Sequence, residues 1–94
     1  MPRPITLRVL TEAGLAIEDQ AVSIVAPGEI GYLGFLANHA PLVTTLHPGS
    51  FMWRCPDGST HTVRVGSGLL EIAKNDLTIL TDLVSEPPTP EPAP

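Results

Sequence analysis

Glycine and proline interrupt this chain so often that no stretch keeps helical periodicity over three turns. What lies between the interruptions alternates with period two. Ile5, Leu7 and Val9 fall on one side of residues 4–10, with Thr6 and Arg8 on the other. Leu15 to Ile17 gives a short second strand. In residues 20–26, Val22, Ile24 and Ala26 oppose Ser23 and Val25, and Pro27-Gly28 closes the segment. Brief strand pieces follow near Tyr32 and over 42–46. Residues 50–54 and 60–65 flank Pro56-Asp57-Gly58, a hairpin signal. Gly66-Ser67-Gly68 leads into 69–73, and Lys74-Asn75-Asp76 turns the chain into 77–84. In that last segment Leu77, Ile79, Thr81 and Leu83 alternate with Thr78, Leu80, Asp82 and Val84. Both sides are rich in apolar residues, so the strand is expected inside a sheet with cover on both faces. Many short strands separated by Gly and Pro turns indicate an all-β sandwich or barrel.

Ninety-four residues make one domain with a small core. From Glu86 the chain reads EPPTPEPAP, five prolines in nine residues, a composition that cannot pack. The ordered domain is therefore expected over 1–85 and a proline-rich tail over 86–94. The net charge is −5, and the five Lys and Arg residues are scattered, so no basic stripe exists for nucleic acid. One cysteine, Cys55, excludes an intrachain disulfide and fits a reducing compartment. No apolar run is long enough to span a membrane and no signal segment opens the chain, so a soluble protein is expected, with any membrane association made through a partner.

The chemistry-bearing residues form no familiar pattern. His39, His47 and Cys55 are spaced by eight, which matches no common metal spacing, and no metal site is expected. Ser67, His39 and Asp82 could be assembled into a triad on paper, and Cys55 could pair with His61, but nothing marks an activated nucleophile. Gly31-x-x-Gly34 and Gly66-Ser67-Gly68 are too sparse for a dinucleotide fingerprint and open no helix. They read as turns or bulges, and no cofactor is expected.

The remaining signal is the stretch 28–49, with Ile30, Tyr32, Leu33, Phe35 and Leu36 between glycines. Alternation buries about half of such a run. The rest makes an exposed apolar patch, the usual mark of an interface. Asn38-His39-Ala40-Pro41 holds the chain extended or turning, since the residue before proline avoids the helical region.

These residues carry a resemblance. Gly31-Tyr32-Leu33-Gly34, followed by Asn38-His39-Ala40-Pro41-Leu42 and Leu46-His47-Pro48-Gly49, resembles the signature of the epsilon subunit of F-type ATP synthase, called delta in mitochondria. Gly68-Leu69-Leu70-Glu71-Ile72 and Leu77-Thr78-Ile79-Leu80-Thr81-Asp82 resemble its second motif, and Leu7-Arg8-Val9-Leu10-Thr11 its first strand. The resemblance covers residues 4 to about 84. It implies a ten-stranded β-sandwich of two five-stranded sheets. It also implies a non-catalytic rotor subunit of the central stalk, peripheral on the cytoplasmic face of the bacterial inner membrane. Such a subunit clamps gamma to the c ring and couples ion flow to ATP synthesis. By position, Glu29, Ile30, Gly31, Tyr32 and Leu33 match the loop presented to the polar loops of the c ring. Thr11, His39, Leu42 and Thr44 match positions turned towards gamma. Neither nucleic acid nor direct membrane insertion is implied.

Three departures stand out. Ala37 replaces a frequent family proline, and Ser67 one of two adjacent glycines. The proline-rich end cannot form the helical hairpin with which the family usually continues. A short form is therefore expected, without helix-mediated inhibition and without an epsilon-type ATP site. The residues alone also admit a free-standing β-sandwich that binds a protein or small ligand, because fold does not fix function.

Overall fold

The computed structural model describes residues 3–82 and 84–85, all of them in strands, turns and connecting segments. Ten strands follow in chain order: β1 Ile5–Thr11, β2 Gly14–Ala21, β3 Ser23–Gly28, β4 Gly31–Leu36, β5 Leu42–Leu46, β6 Gly49–Arg54, β7 Thr60–Val65, β8 Gly68–Ala73, β9 Asp76–Thr81 and β10 Val84–Ser85. They join in the order β10-β7-β6-β3-β5-β8-β9-β1-β2, with β4 on β3. The link between β3 and β5 is a single pair, Gly28 with Leu46, supported by the His47 amide donating to the Pro27 carbonyl at 2.9 Å. That thin link divides the sheet into two five-stranded halves, β10-β7-β6-β3-β4 and β5-β8-β9-β1-β2. The β-sandwich expected from the sequence is thus present, nearly closed into a barrel.

Each turn is built from residues suited to it. Lys74 and Asn75 both take positive φ, 53° and 62°, between the paired Ala73 and Asp76. This is the two-residue hairpin turn whose twist matches that of its strands. At the β6–β7 turn Gly58 donates to the Cys55 carbonyl at 2.9 Å and takes a φ of 89°. Proline presets the turn and glycine supplies its left-handed exit. β1 and β9 run parallel, so the first long strand lies beside the last.

The core draws on both halves. Ile5, Leu7, Val9, Leu70, Ile72, Leu77 and Ile79 come from one, and Ile24, Ala26, Phe35, Phe51, Val63 and Val65 from the other.

Three sequence expectations need correction. The second strand is not confined to 15–17 but continues through Glu18, Asp19 and Gln20 to Ala21. It ends the sheet order, and an edge strand carries charge without burying it. Val22 does not join Ile24 and Ala26 inside. It is 39% exposed, because the chain bends there between the halves and Ala21 takes the buried place. The strand expected over 77–84 ends at Thr81, with Val84–Ser85 pairing separately with β7, and it is not covered on both faces. Leu77 and Ile79 are fully buried, whereas Leu80 is 51% exposed on the outer side. It is central in the sheet, but only its inner face meets the other half. The placement of Leu83 and the tail over 86–94 lie outside the described residues.

Candidate interaction surface

The β3–β4 hairpin projects the apolar stretch singled out in the sequence. Ser23 to Gly28 pair with Leu36 to Gly31, leaving Glu29 and Ile30 as the tip. Gly31 takes a φ of 133°, a backbone conformation that a side chain resists. Ile30 is 95% exposed and Tyr32 60%. Alternation sorts the run as the period of two requires. Phe35 is buried and Leu33 packs against the core, while Ile30, Tyr32 and Leu36 face outward. Glycines allow the close fit behind the tip. A Cβ at Gly28 would sit 2.9 Å from Leu33 Cδ1, and one at Gly49 3.0 Å from Pro27 Cβ and 3.6 Å from the Tyr32 hydroxyl. Glu29, Ile30, Gly31, Tyr32 and Leu33 therefore form one continuous feature.

The second set does not converge in the same way. Leu42 and Thr44 lie on β5, in register with Ile72 and Leu70 and so on the core-facing side, partly open at the strand's edge. His39 stands in the β4–β5 connection with its ring 5.0 Å from that of Phe35. Thr11 ends β1, separated from β5 by β8 and β9. Three strand spacings amount to roughly 14 Å. His39, Leu42 and Thr44 form one group, and Thr11 stands apart.

Pro41 is not the only source of stiffness in the β4–β5 connection. Asn38 takes a φ of 66°, and its amide donates to Asn75 Oδ1 at 2.6 Å. The Asn75 side-chain amide returns a bond to Asn38 Oδ1 at 3.3 Å. The Asn75 carbonyl also accepts from the Thr6 amide at 2.8 Å. The connection is thereby tied to the β8–β9 turn. The sequence signal was two asparagines at turn positions, a residue type that tolerates positive φ.

A further surface went unread in the sequence. Leu69 pairs with Leu80, Leu80 with Leu10, and Leu10 with Leu15, so four leucines form a row across the outer face of β8, β9, β1 and β2. On a neighbouring row Arg8 bonds Glu18 at 2.9 Å and lies 3.7 Å from Asp76. Cross-strand neighbours share a face, but only the strand order shows which strands are neighbours.

Of the two catalytic combinations, Ser67, His39 and Asp82 do not assemble, whereas Cys55 and His61 do lie together, beside Asp19. Asp82 donates to the Ser67 carbonyl at 3.3 Å, at the Gly68–Thr81 end of β8–β9. His39 is bracketed by Asn38, which is bonded to Asn75 at the opposite end. A six-residue strand separates them by roughly 17 Å. His39 and His47 likewise do not join Cys55. Instead Asp19, Cys55 and His61 bring their ligand atoms within 4.8 Å of one another. Asp19 Oδ2 accepts from Trp53 Nε1 at 2.9 Å and from Cys55 Sγ at 3.3 Å. His61 stacks on Trp53 with ring centroids 5.2 Å apart.

The indole bond from Trp53 holds the Asp19 carboxyl below its ordinary pKa, with the Gln20 amide and the Cys55 thiol adding to it and burial opposing it. Burial pushes the Cys55 thiol up, and its bond to Asp19 adds to that. A depressed carboxyl stabilises the fold above its unfolded pKa, ordinarily 3.8, and that contribution is lost as pH falls through the folded value. Asp19→Asn keeps an acceptor for the indole but removes the titration. Urea midpoints measured against pH should therefore fall less steeply in acid for the variant than for the parent.

The family described as "ATP synthase, Delta/Epsilon chain, beta-sandwich domain" matches residues 4–87. Among curated relatives, the ATP synthase epsilon chain of Verminephrobacter eiseniae is 44% identical over 63 residues, covering 67% of this chain and 46% of the relative. That of Dichelobacter nodosus is 34% identical over 82 residues, covering 87% and 57%. The chain thus spans about half the length of these relatives. A chain in the Euglena gracilis mitochondrial ATP synthase, a structure of OSCP, F1 and c ring, superposes with a TM-score of 0.82 at 20% identity, covering 89% of this chain and 54% of the other. A chain in the central stalk and c ring of the Tetrahymena thermophila mitochondrial enzyme gives 0.71 at 15% identity, covering 86% and 65%. At these identities the superpositions show the shared fold.

Proposed function

The chain belongs to the family of β-sandwich domains of ATP synthase delta and epsilon chains, and from that membership we propose that it serves as a non-catalytic rotor subunit of the central stalk. In this reading the β3–β4 hairpin, with Glu29, Ile30, Gly31, Tyr32 and Leu33, stands on the polar loops of the c ring. His39, Leu42 and Thr44 face gamma across the free edge of β5, and Thr11 makes a separate contact at the end of β1. The domain clamps gamma to the ring, so that torque from ion flow reaches the catalytic head. It lies peripherally on the cytoplasmic face of the bacterial membrane and binds no cofactor in this role. Among the described residues no helix is long and apolar enough to cross a membrane.

The observation that carries the proposal is the hairpin tip. An isoleucine 95% exposed at the end of a glycine-framed turn has no use in the domain's own core. It gains only when a partner covers it. A torque-bearing contact also needs a stiff mount, and the Asn38–Asn75 bonds supply one on the side assigned to gamma.

Tyr32→Asp tests the ring contact. The residue is exposed, so circular dichroism and thermal midpoint should stay near those of the parent. Binding to a complex of cognate gamma and c ring should weaken by tenfold or more, about 1.4 kcal/mol, because the variant places a charge in an apolar contact. An unfolded variant would show that Tyr32 belongs to the core. A folded parent that binds neither gamma nor ring would overturn the stalk assignment and leave a free-standing binding module.

A further inference from the structure

The fold gathers three potential metal ligands, of which Asp19 lies 36 residues before Cys55 in the chain. Asp19 belongs to β2, Cys55 follows β6, and His61 is the second residue of β7. Their ligand atoms all lie within 4.8 Å of one another. We propose that Asp19, Cys55 and His61 form a binding site for a zinc-class divalent cation, with one coordination position open to water.

The donor set selects the ion. A sulfur, an imidazole nitrogen and a carboxylate oxygen suit zinc, whereas magnesium and calcium prefer oxygen alone. The distances are close to what zinc needs. Bond lengths of about 2.0–2.3 Å put tetrahedral ligand atoms roughly 3.3–3.8 Å apart. Cys55 Sγ and Asp19 Oδ2 are already 3.3 Å apart. The remaining closure falls on His61, which is exposed at the surface.

The surroundings are organised as well. Trp53 Nε1 and the Gln20 amide fix the two oxygens of Asp19, at 2.9 and 2.8 Å. Trp53 also stacks under the His61 ring. Such outer contacts orient ligands and tune affinity. Ser59 Oγ lies 3.4 Å from His61 Nε2 and bonds Asp57 Oδ1 at 2.6 Å, which brings a second carboxylate to the site's rim. On binding, the Cys55 S–H bond breaks, a metal–sulfur bond forms, and the proton passes to solvent. Because Asp19 belongs to one five-stranded half and Cys55 and His61 to the other, the ion would clip the two together. This inference does not depend on the stalk assignment.

The test is titration of the full chain, with its thiol kept reduced, by zinc alone and by cobalt as a spectroscopic probe. The expected result is one ion per chain, a thiolate-to-cobalt charge-transfer band, visible absorption of a four-coordinate ion, and a higher thermal midpoint with zinc. His61→Ala and Asp19→Asn should each weaken binding by roughly tenfold or more, the scale on which lost metal contacts act. Cys55→Ser should remove the charge-transfer band, and His39→Ala should leave it intact. His61 is exposed, so its variant reads the site without threatening the core. Absence of the band in a chain with a titratable thiol would overturn the proposal. So would a band that survives loss of both Asp19 and His61, since that would be the cysteine acting alone.

Discussion

Ile79→Ala should destabilise the domain by roughly 2–4 kcal/mol, the range for removing a buried isoleucine. For a chain of this size that lowers the thermal midpoint by roughly 10–25 °C. Ile79 is fully buried, paired with Leu70 on β8 and Val9 on β1, and it shares their core face. Truncation leaves a cavity that these close-packed neighbours cannot fill. The adjacent Leu80 supplies the control. It is the same kind of residue one position along, but 51% exposed, so Leu80→Ala should cost well under about 1 kcal/mol. Denaturant unfolding of both variants reads the difference directly. Equal losses would mean that both faces of β9 are covered in solution. A reversed order would mean that the register of β9 is off by one.

The contrast between Ile79 and Leu80 also marks what was legible in the sequence. Alternation gives the faces of a strand but not which face is inside when both are apolar. Ile5, Leu7 and Val9 were readable because Thr6 and Arg8 oppose them. In β9 the leucine on the second face blurred that signal, because the row from Leu69 to Leu15 puts apolar residues on the outer surface. Edge strands blur it too. The expected second strand stopped at Ile17, short of Glu18 and Asp19, because an edge strand keeps charges that a central strand cannot.

The hairpin tip was legible for a local reason. Gly28, Ile30, Gly31 and Tyr32 lie within five residues, and a turn flanked by glycines cannot bury all of its apolar side chains. In the cluster of Asp19, Cys55 and His61, the pairing of Cys55 with His61 was legible across its hairpin turn, but Asp19 was not. Asp19 meets Trp53 and Cys55 across sequence separations of 34 and 36 residues. No spacing rule connects them, because the contact is made by the two halves closing on each other. The stiffness of the β4–β5 connection was half legible. Pro41 stands in the sequence, while the bond from Asn38 to Asn75 spans 37 residues and needs the β8–β9 turn to be in place.

Gly68→Ala should be as damaging as any core truncation, for the opposite reason. Gly68 opens β8 and pairs with Thr81 at the end of β9. A Cβ there would overlap the Leu80 carbonyl oxygen and sit 2.8 Å from the Leu80 carbonyl carbon and 2.9 Å from Thr81 Cα. These are backbone atoms of a central strand, so no side chain can swing aside. The cost should reach about 3 kcal/mol, the upper part of the range for overpacking, with the Gly68–Thr81 end of the ladder opened. Hydrogen exchange would show that opening as lost protection confined to the ends of β8 and β9. Gly34 is the matched control, since a Cβ there meets nothing within 4 Å. Gly34→Ala should leave stability within about 0.5 kcal/mol, the usual span for a surface change. If Gly68→Ala is equally silent, β8 and β9 lie farther apart at this end than the register requires. The leucine row beside it, which depends on the same pairing, would then have to be redrawn.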